Sequence, residues 1–501
     1  MKPLFNWLDT RSAGILMHIT SLPGHTGIGT LGKEAIEFVH LLSDAGLKHW
    51  QICPLGPTGF GDSPYQSFSS YAGNPYLIDL DALLAEGLLT EAELKPLRDL
   101  PEKSVNYGAQ WSLRWPLLRL LAGRFLEQNH EAKNYKAFCL SKDRWLKPFT
   151  MFMALKHFFN GAPWYQWEDI YRVYSDVNES SLPEAVLVEM EIQSVLQYLF
   201  FSQWDQLRAY ALEHKVEIIG DLPIFVAMDS ADVWAAPEVF QLNDQMQPKA
   251  VAGVPPDYFS PEGQLWGNPI YDWDYLEKTN FQWWVDRIQA SMTLYDIVRI
   301  DHFRGFDAFW RVPADAPTAK TGEWIKAPGL ALFKAIRKTL PDARFIAEDL
   351  GVVDDAMIEL REATGLPGMA VLQFAFDGEN SDYLPHNQRA NCILYPGTHD
   401  NNTTLGWYAE LEEPIRHRLR EYLRISGDTI GWDFIRSGYA SVCRLFIMPL
   451  QDLLNLGSDG RMNTPGVPNG NWGWRANHDQ LDRLRYESMS YIRDLGRIYY
   501  R

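Results

Sequence analysis

The chain has 501 residues, 46% of them hydrophobic, with 64 acidic against 46 basic side chains and a formal charge of −18. That length and apolar content bury a large core and exclude disorder, and the acidic balance excludes a phosphate backbone as partner, because such contacts depend on Lys and Arg releasing counterions. The first residues lack an apolar signal stretch and no run of about 18 uncharged apolar residues occurs, so nothing marks a membrane protein and a cytoplasmic chain is expected.

In chain order, eight short apolar runs rich in β-branched residues read as strands: residues 14–20, 49–54, 216–221, 296–301, 344–348, 369–375, 392–395 and 444–448. Between several of them, as over residues 32–46 and 329–340, apolar positions recur at three and four, the period of a helix. Eight alternating units predict an α/β chain folded as one catalytic (β/α)8 TIM barrel over residues 1–501, in preference to two open sheets.

Two connections are too long for a simple crossover. A mostly helical insertion is expected over roughly residues 80–215, between strands two and three, with helices over 113–125 and 183–196. An aromatic, Pro-rich insertion is expected over roughly 227–293, between strands three and four. After the eighth strand comes a Gly/Asn/Pro-rich loop, residues 459–474, and a helical stretch, 480–493. That leaves no room for a C-terminal β-sandwich domain.

Several motifs lead nowhere. The segment Gly27-Ile-Gly-Thr-Leu-Gly32 has dinucleotide-loop spacing, but Ser21-Leu-Pro-Gly-His-Thr26 separates it from its strand, and the next strand ends without the acid such a fold needs. Cys53, Cys139, Cys392 and Cys443 are scattered, and most lie in apolar runs, so buried reduced thiols are expected. His18, His302 and His399 lie near strand ends, yet no zinc or calcium spacing is present, and no metal or cofactor is expected. The 19 Trp, 23 Tyr and 25 Phe are numerous enough to line a site that stacks sugar rings, although loop aromatics also serve as satellite cores.

The chemistry is carried by acids at strand ends. Asp221, Asp301, Glu348 and Asp400 close runs three, four, five and seven, and the C-terminal ends of barrel strands share one face. A structural ion pair with Arg299 or Arg304 would account equally well for any one of them. Four together crowd like charge at a cost in stability unless a reaction requires it.

Together with these acids, the segments His18-Ile-Thr-Ser-Leu-Pro23, Asp62-Ser-Pro-Tyr-Gln-Ser67, Gly253-Val-Pro-Pro-Asp-Tyr-Phe259, Trp266-Gly-Asn-Pro269, Arg299-Ile-Asp-His-Phe-Arg-Gly305, Ala347-Glu-Asp-Leu-Gly351, Gly397-Thr-His-Asp-Asn401 and Asn471-Trp-Gly-Trp-Arg475 carry a family resemblance that spans almost the whole chain. The chain resembles the 4-α-glucanotransferases called amylomaltase, or disproportionating enzyme in plants, of glycoside hydrolase family 77 in the α-amylase clan.

The resemblance implies transfer of α-1,4-glucan segments between maltooligosaccharides by a retaining double displacement through a covalent glycosyl-enzyme, with cyclisation of long glucans as a further outcome. It implies Asp301 as nucleophile, Glu348 as general acid/base and Asp400 as the residue that holds sugar hydroxyls in the distorted transition state. Asp221, Arg299 and His399 would hold the sugar at the cleavage point and Tyr65 would stack beneath it. Tyr258, Phe259 and Trp266 would form a lip over the acceptor side.

A monomer or weak oligomer acting on neutral glucans is expected, without nucleic acid or membrane. No N-terminal starch-binding extension is read. A hydrolase that uses water in place of the acceptor sugar, and a silent glucan-binding scaffold, are the two competing readings.

Overall fold

The computed structural model describes residues 3–129, 131–256, 261–351, 353–376, 378 and 381–501. In chain order the strands are β1 (Ser12–Leu16), β2 (His49–Gln51), β3 (Glu217–Leu222), β4 (Ala250–Val254), β5 (Gln264–Pro269), β6 (Ile297–Ile300), β7 (Ala308–Pro313), β8 (Glu323–Lys326), β9 (Phe345–Ala347), β10 (Gly368–Val371), β11 (Cys392–Tyr395) and β12 (Leu445–Pro449). Eight form a parallel sheet in the order β10-β11-β12-β1-β2-β3-β6-β9, and these are the eight runs read from the sequence, with ends displaced by a few residues.

The sheet closes on itself where Ala347 N–H donates to the Pro367 carbonyl at 2.9 Å and Met369 N–H to Asp349 Oδ1 at 2.7 Å. Asp349 also pairs with Arg361. The result is a (β/α)8 barrel. Among the described residues no strand follows β12.

Side chains alternate across the strands as a pleat requires. Ile219, Ile297, Ile346, Met369, Ile393 and Leu445 pack with Tyr395 in one cluster inside the barrel. Their neighbours Ile218, Val298, Ile300, Ala347, Leu394 and Phe446 belong to the larger core shared with the helices. This parity aims the site. Two residues beyond Ile219 stands Asp221; two and four beyond Ile297 stand Arg299 and Asp301; two beyond Ile346 stands Glu348. The inward-facing rows that fill the barrel with aliphatic side chains therefore end at its mouth in charge.

Between β2 and β3 the chain is largely helical, and two long helices, Lys133–Phe158 and Glu184–Glu213, pack along each other. Much of the aromatic content is spent as core: Trp50, Trp164, Trp167, Trp204, Trp234 and Trp284 are fully buried. A second sheet, antiparallel in the order β5-β4-β7-β8, stands beside the barrel and was not legible beforehand. The pairing of β4 with β5 shifts register between Val251 and Gly253, and Gly267 lies at φ 76°, so neither run shows a clean two-residue alternation.

The glycines of the dinucleotide-like segment serve close packing. A Cβ on Gly29 would lie 1.9 Å from the Ile19 carbonyl oxygen, and one on Gly32 would lie 2.4 Å from the Asp79 carboxylate. Cys53, Cys392 and Cys443 are buried, Cys139 is half-buried, and all four are free thiols. Among the described residues no helix is long and apolar enough to cross a membrane.

Candidate active site

Backbone ladders set the heights of the strand-end acids. Asp221 on β3 stands in register with Arg299 on β6, Asp301 N–H donates to the Leu222 carbonyl, and Glu348 N–H donates to the Ile300 carbonyl. Adjacent barrel strands thus deliver Asp221, Asp301 and Glu348 side by side.

Arg299 organises them. Its side chain is only 3% exposed, and Nη1 lies 2.7 and 2.6 Å from the two oxygens of Asp221 and 3.1 Å from Oδ1 of Asp301. Burial pulls the guanidinium toward neutrality, but Asp221 and then Asp301 outweigh it and keep it charged. Asp221 is spent on this pair and on Tyr65, whose hydroxyl donates to Oδ2 at 2.8 Å. With its one proton so used, the Tyr65 oxygen accepts from Nε2 of His399 at 2.9 Å, which assigns the proton of that imidazole to Nε2. The Tyr65 and His399 rings stack at 5.3 Å.

Asp301 differs from its buried neighbour. Its side chain is 29% exposed toward the cleft. Burial pushes its pKa up to about 6 against the pull of Arg299, and Asp221 and Asp400 push the same way.

Glu348 is held by two amides. The backbone N–H of His302 donates to Oε2 at 2.6 Å and that of Leu350 to Oε1 at 3.1 Å. His302 itself takes a left-handed conformation at φ 51°, uncommon for a residue with a side chain. Burial pushes Glu348 up to about 8 and the charge of Asp301 adds to the push, against Arg299 and the two amides. Burial thus raises both neighbouring carboxyls, Glu348 further than Asp301, which makes Glu348 the one better suited to carry a proton.

Asp400 reaches the same cleft from the loop after β11 and its side chain is 43% exposed, more than that of Asp221 or Asp301. The loop after β12 clamps it: Asn463 Nδ2 donates to Oδ1 at 2.6 Å, Arg461 Nη2 donates to the Asp400 carbonyl at 2.9 Å, and Asn463 N–H donates to the His399 carbonyl. From the same loop Trp472 packs 5.7 Å from Tyr65 and 5.8 Å from His399. Trp266, on β5, meets the His302 ring edge-on at 4.9 Å, so it stands beside the turn that holds Glu348.

Of the residues singled out in the sequence, Tyr65, Asp221, Arg299, Asp301, Glu348, His399 and Asp400 meet in one cleft, with Trp266 at its edge. Tyr258 and Phe259 lie outside the described residues. Sequence reasoning missed Arg461 and Asn463, which sit in a stretch whose composition reads only as loop, and missed the use of the His302 amide, which no side-chain motif announces.

The arrangement provides a carboxylate available to attack, a neighbouring carboxyl able to give and take a proton, and polar and aromatic groups suited to a sugar. A family profile described as 4-alpha-glucanotransferase matches residues 17–481. The 4-alpha-glucanotransferase of Thermus thermophilus is 46% identical over 479 residues, covering 93% of this chain and 94% of that protein. The 4-alpha-glucanotransferase of Streptococcus pneumoniae is 44% identical over 499 residues, covering 99% and 98%. Among solved structures, an amylomaltase from Streptococcus agalactiae in complex with acarbose superposes with a TM-score of 0.93 at 40% identity, covering 98% of this chain and 99% of that one.

Proposed function

Since the chain belongs to the 4-alpha-glucanotransferase family, glycoside hydrolase family 77, we propose that its carboxylate cleft breaks and remakes α-1,4-glucosidic bonds by double displacement. It is an enzyme that transfers glucan segments between maltooligosaccharides. The Asp301 carboxylate attacks C1 of the donor sugar while Glu348 gives its proton to the departing 4-oxygen, leaving the segment as an ester on Asp301.

Forming the ester removes the Asp301 charge that had helped to keep Glu348 protonated. Glu348 is then a better base, and it takes the proton from the 4-hydroxyl of the incoming sugar as that oxygen attacks C1 and frees Asp301. Asp400 accepts hydrogen bonds from sugar hydroxyls in the distorted transition state, Arg299 and His399 line the cleavage point, and Tyr65 supplies the surface beneath the ring. Tyr258, Phe259 and Trp266 shape the acceptor side. When the acceptor is the far end of the same chain, the product is a cyclic glucan.

The observation that carries this reading is the placement of Asp301 and Glu348 at the ends of neighbouring strands, where Glu348 N–H donates to the Ile300 carbonyl and Arg299 holds Asp301. Retaining chemistry asks for such a pair at a separation of about 5 to 5.5 Å. The reaction needs no cofactor or metal of its own, and we place it in the cytoplasm in a monomer or weak oligomer acting on neutral glucans. Acarbose, bound in the streptococcal amylomaltase, should compete for this cleft.

Product analysis with maltotriose tests the proposal. Transfer yields glucose with a ladder of longer maltooligosaccharides at nearly constant total reducing ends. A steady rise of reducing ends without longer products would mark a hydrolase.

A further inference from the structure

We propose that His25, Glu34 and His478 form a site for one divalent transition-metal ion of borderline softness, for which Zn2+ is the reference. It lies outside the carboxylate cleft, and its ligands are too far apart in sequence for any spacing motif to show it. Nε2 of His25 lies 3.8 Å from Oε1 of Glu34 and Nε2 of His478 lies 3.5 Å from the same oxygen. One ligand atom from each of the three lies within 4.8 Å of the others. The two histidine–carboxylate separations are too long for good hydrogen bonds. They suit donors gathered around an ion: bonds of about 2.0–2.2 Å in a tetrahedral shell set neighbouring ligand atoms ~3.3–3.5 Å apart, so capture asks only modest movements of the side chains.

The supports of the three ligands differ usefully. Glu34 lies in the first turn of the helix Lys33–Asp44 with its side chain only 13% exposed. His478 opens the helix His478–Arg483, whose start is fixed by the capping box of Asn477 and Gln480. His25 is on the loop after β1, 58% exposed, and free to adjust. The two imidazoles already stack at 5.1 Å with 16° between their planes, and each turns Nε2 toward the shared carboxylate. Two imidazoles with one carboxylate match the His2Glu zinc set and leave a coordination position for water; nitrogen donors disfavour Ca2+ and Mg2+.

Such an ion would staple a seam that the protein already fastens by hydrogen bonds. Arg475 donates to the Leu22 and Gly24 carbonyls, and Ala476 N–H donates to the Ser21 carbonyl at 2.9 Å. The segment secured there is continuous with residues 461–472, which hold Asp400 and face Tyr65. The bound ion should therefore raise the melting temperature of the whole chain, because it binds the folded arrangement and not the unfolded one.

The test is calorimetric titration of the full-length, chelator-treated protein with Zn2+, paired with Co2+ titration followed by visible absorption. The wild type should take up one ion per chain, with nitrogen-ligand absorption from Co2+ and a melting temperature that rises to saturation near one equivalent. His478→Ala and Glu34→Gln should each weaken Zn2+ binding at least tenfold and remove the Co2+ signal. His386→Ala, at an exposed imidazole elsewhere, should bind as wild type does. If His478→Ala fails to fold, His25→Ala, at an exposed loop position, carries the same expectation. Zn2+ uptake that is equal in the wild type, Glu34→Gln and His25→Ala, or that is lost in His386→Ala, would overturn the site.

Discussion

Arg299 Nη1 stands 3.1 Å from Oδ1 of Asp301, two residues further along the same inward-facing row of β6. The same nitrogen also reaches both oxygens of Asp221, so a single buried guanidinium serves the acid proposed to attack and the acid that braces it. Lysine keeps the charge but replaces the planar fork with a shorter, differently placed donor. Arg299→Lys should lower kcat for transfer by about 100-fold, equivalent to ~2.7 kcal/mol of transition-state stabilisation. The rate on maltotriose beside a thermal melt checks this; a folded variant at the wild-type rate would remove Arg299 from the account.

The unequal rise of Asp301 and Glu348 predicts a bell-shaped dependence of kcat/KM on pH. Below about 6 Asp301 takes up a proton and cannot attack, so activity falls as pH falls; above about 8 Glu348 loses its proton and cannot assist departure, so activity falls as pH rises. The two limbs belong to the interacting pair and not to either residue alone. With a donor whose leaving group needs no acid, the alkaline limb for glycosyl-enzyme formation should weaken while the acid limb stays. An alkaline limb of equal steepness for both donors would count against Glu348 as the acid.

Asn463 makes a 2.6 Å hydrogen bond to the carboxylate of Asp400, a residue far more exposed than Asp221 and correspondingly less constrained. Loss of one hydrogen bond to a charged group costs about 1.5–3 kcal/mol. Asn463→Ala should therefore lower kcat/KM roughly 10- to 100-fold, while the melt moves little because the side chain is only half-buried. Unchanged steady-state kinetics would show that Asp400 keeps its position without this clamp.

Gly220, which precedes Asp221 in β3, leaves no room for a side chain: a Cβ would lie 2.2 Å from the Tyr295 ring, whose hydroxyl accepts from Leu55 N–H. Gly220→Ala should destabilise the protein by about 1–3 kcal/mol through overpacking. Gly123, in the helix Trp115–Asn129, has nothing within 4 Å of its would-be Cβ, and Gly123→Ala should stabilise by roughly 0.4–1 kcal/mol. Denaturant melts of the pair check the contrast, which fails if both variants shift in the same direction.

What the sequence made legible is set by how local each signal is. The barrel strands could be read because each is a short apolar run, and the inward row Ile297, Arg299, Asp301 shows its alternation within five residues. The sheet of β4, β5, β7 and β8 could not, because the β4–β5 pairing is bulged near Gly253 and β4 joins the β7–β8 pair only across a long separation in the chain. Asp301 and Glu348 were visible as strand-end acids. The His302 amide was not, since a left-handed backbone at a histidine leaves no mark in the sequence. Asn463 was hidden for a related reason: its partner lies 63 residues away, across a loop with no periodicity. The aromatic surplus pointed only partly at the cleft, since Trp164, Trp204, Trp234 and Trp284 are core while Tyr65 bonds Asp221, Trp266 packs on His302 and Trp472 packs on Tyr65 and His399.

The most direct test of double displacement through Asp301 is to trap its intermediate. Glu348→Gln should turn over maltooligosaccharides at a negligible rate, because a carboxamide neither gives the leaving oxygen a proton nor takes one from the acceptor. It should still react slowly with α-glucosyl fluoride, whose leaving group needs no acid, and glycosyl-enzyme should then accumulate because the second step lacks its base. Peptide mapping of that species by mass spectrometry should locate one glucosyl unit on Asp301, and the further change Asp301→Asn should abolish it. A sugar mapped to any other residue, or Glu348→Gln turning over maltotriose at the wild-type rate, would contradict the account.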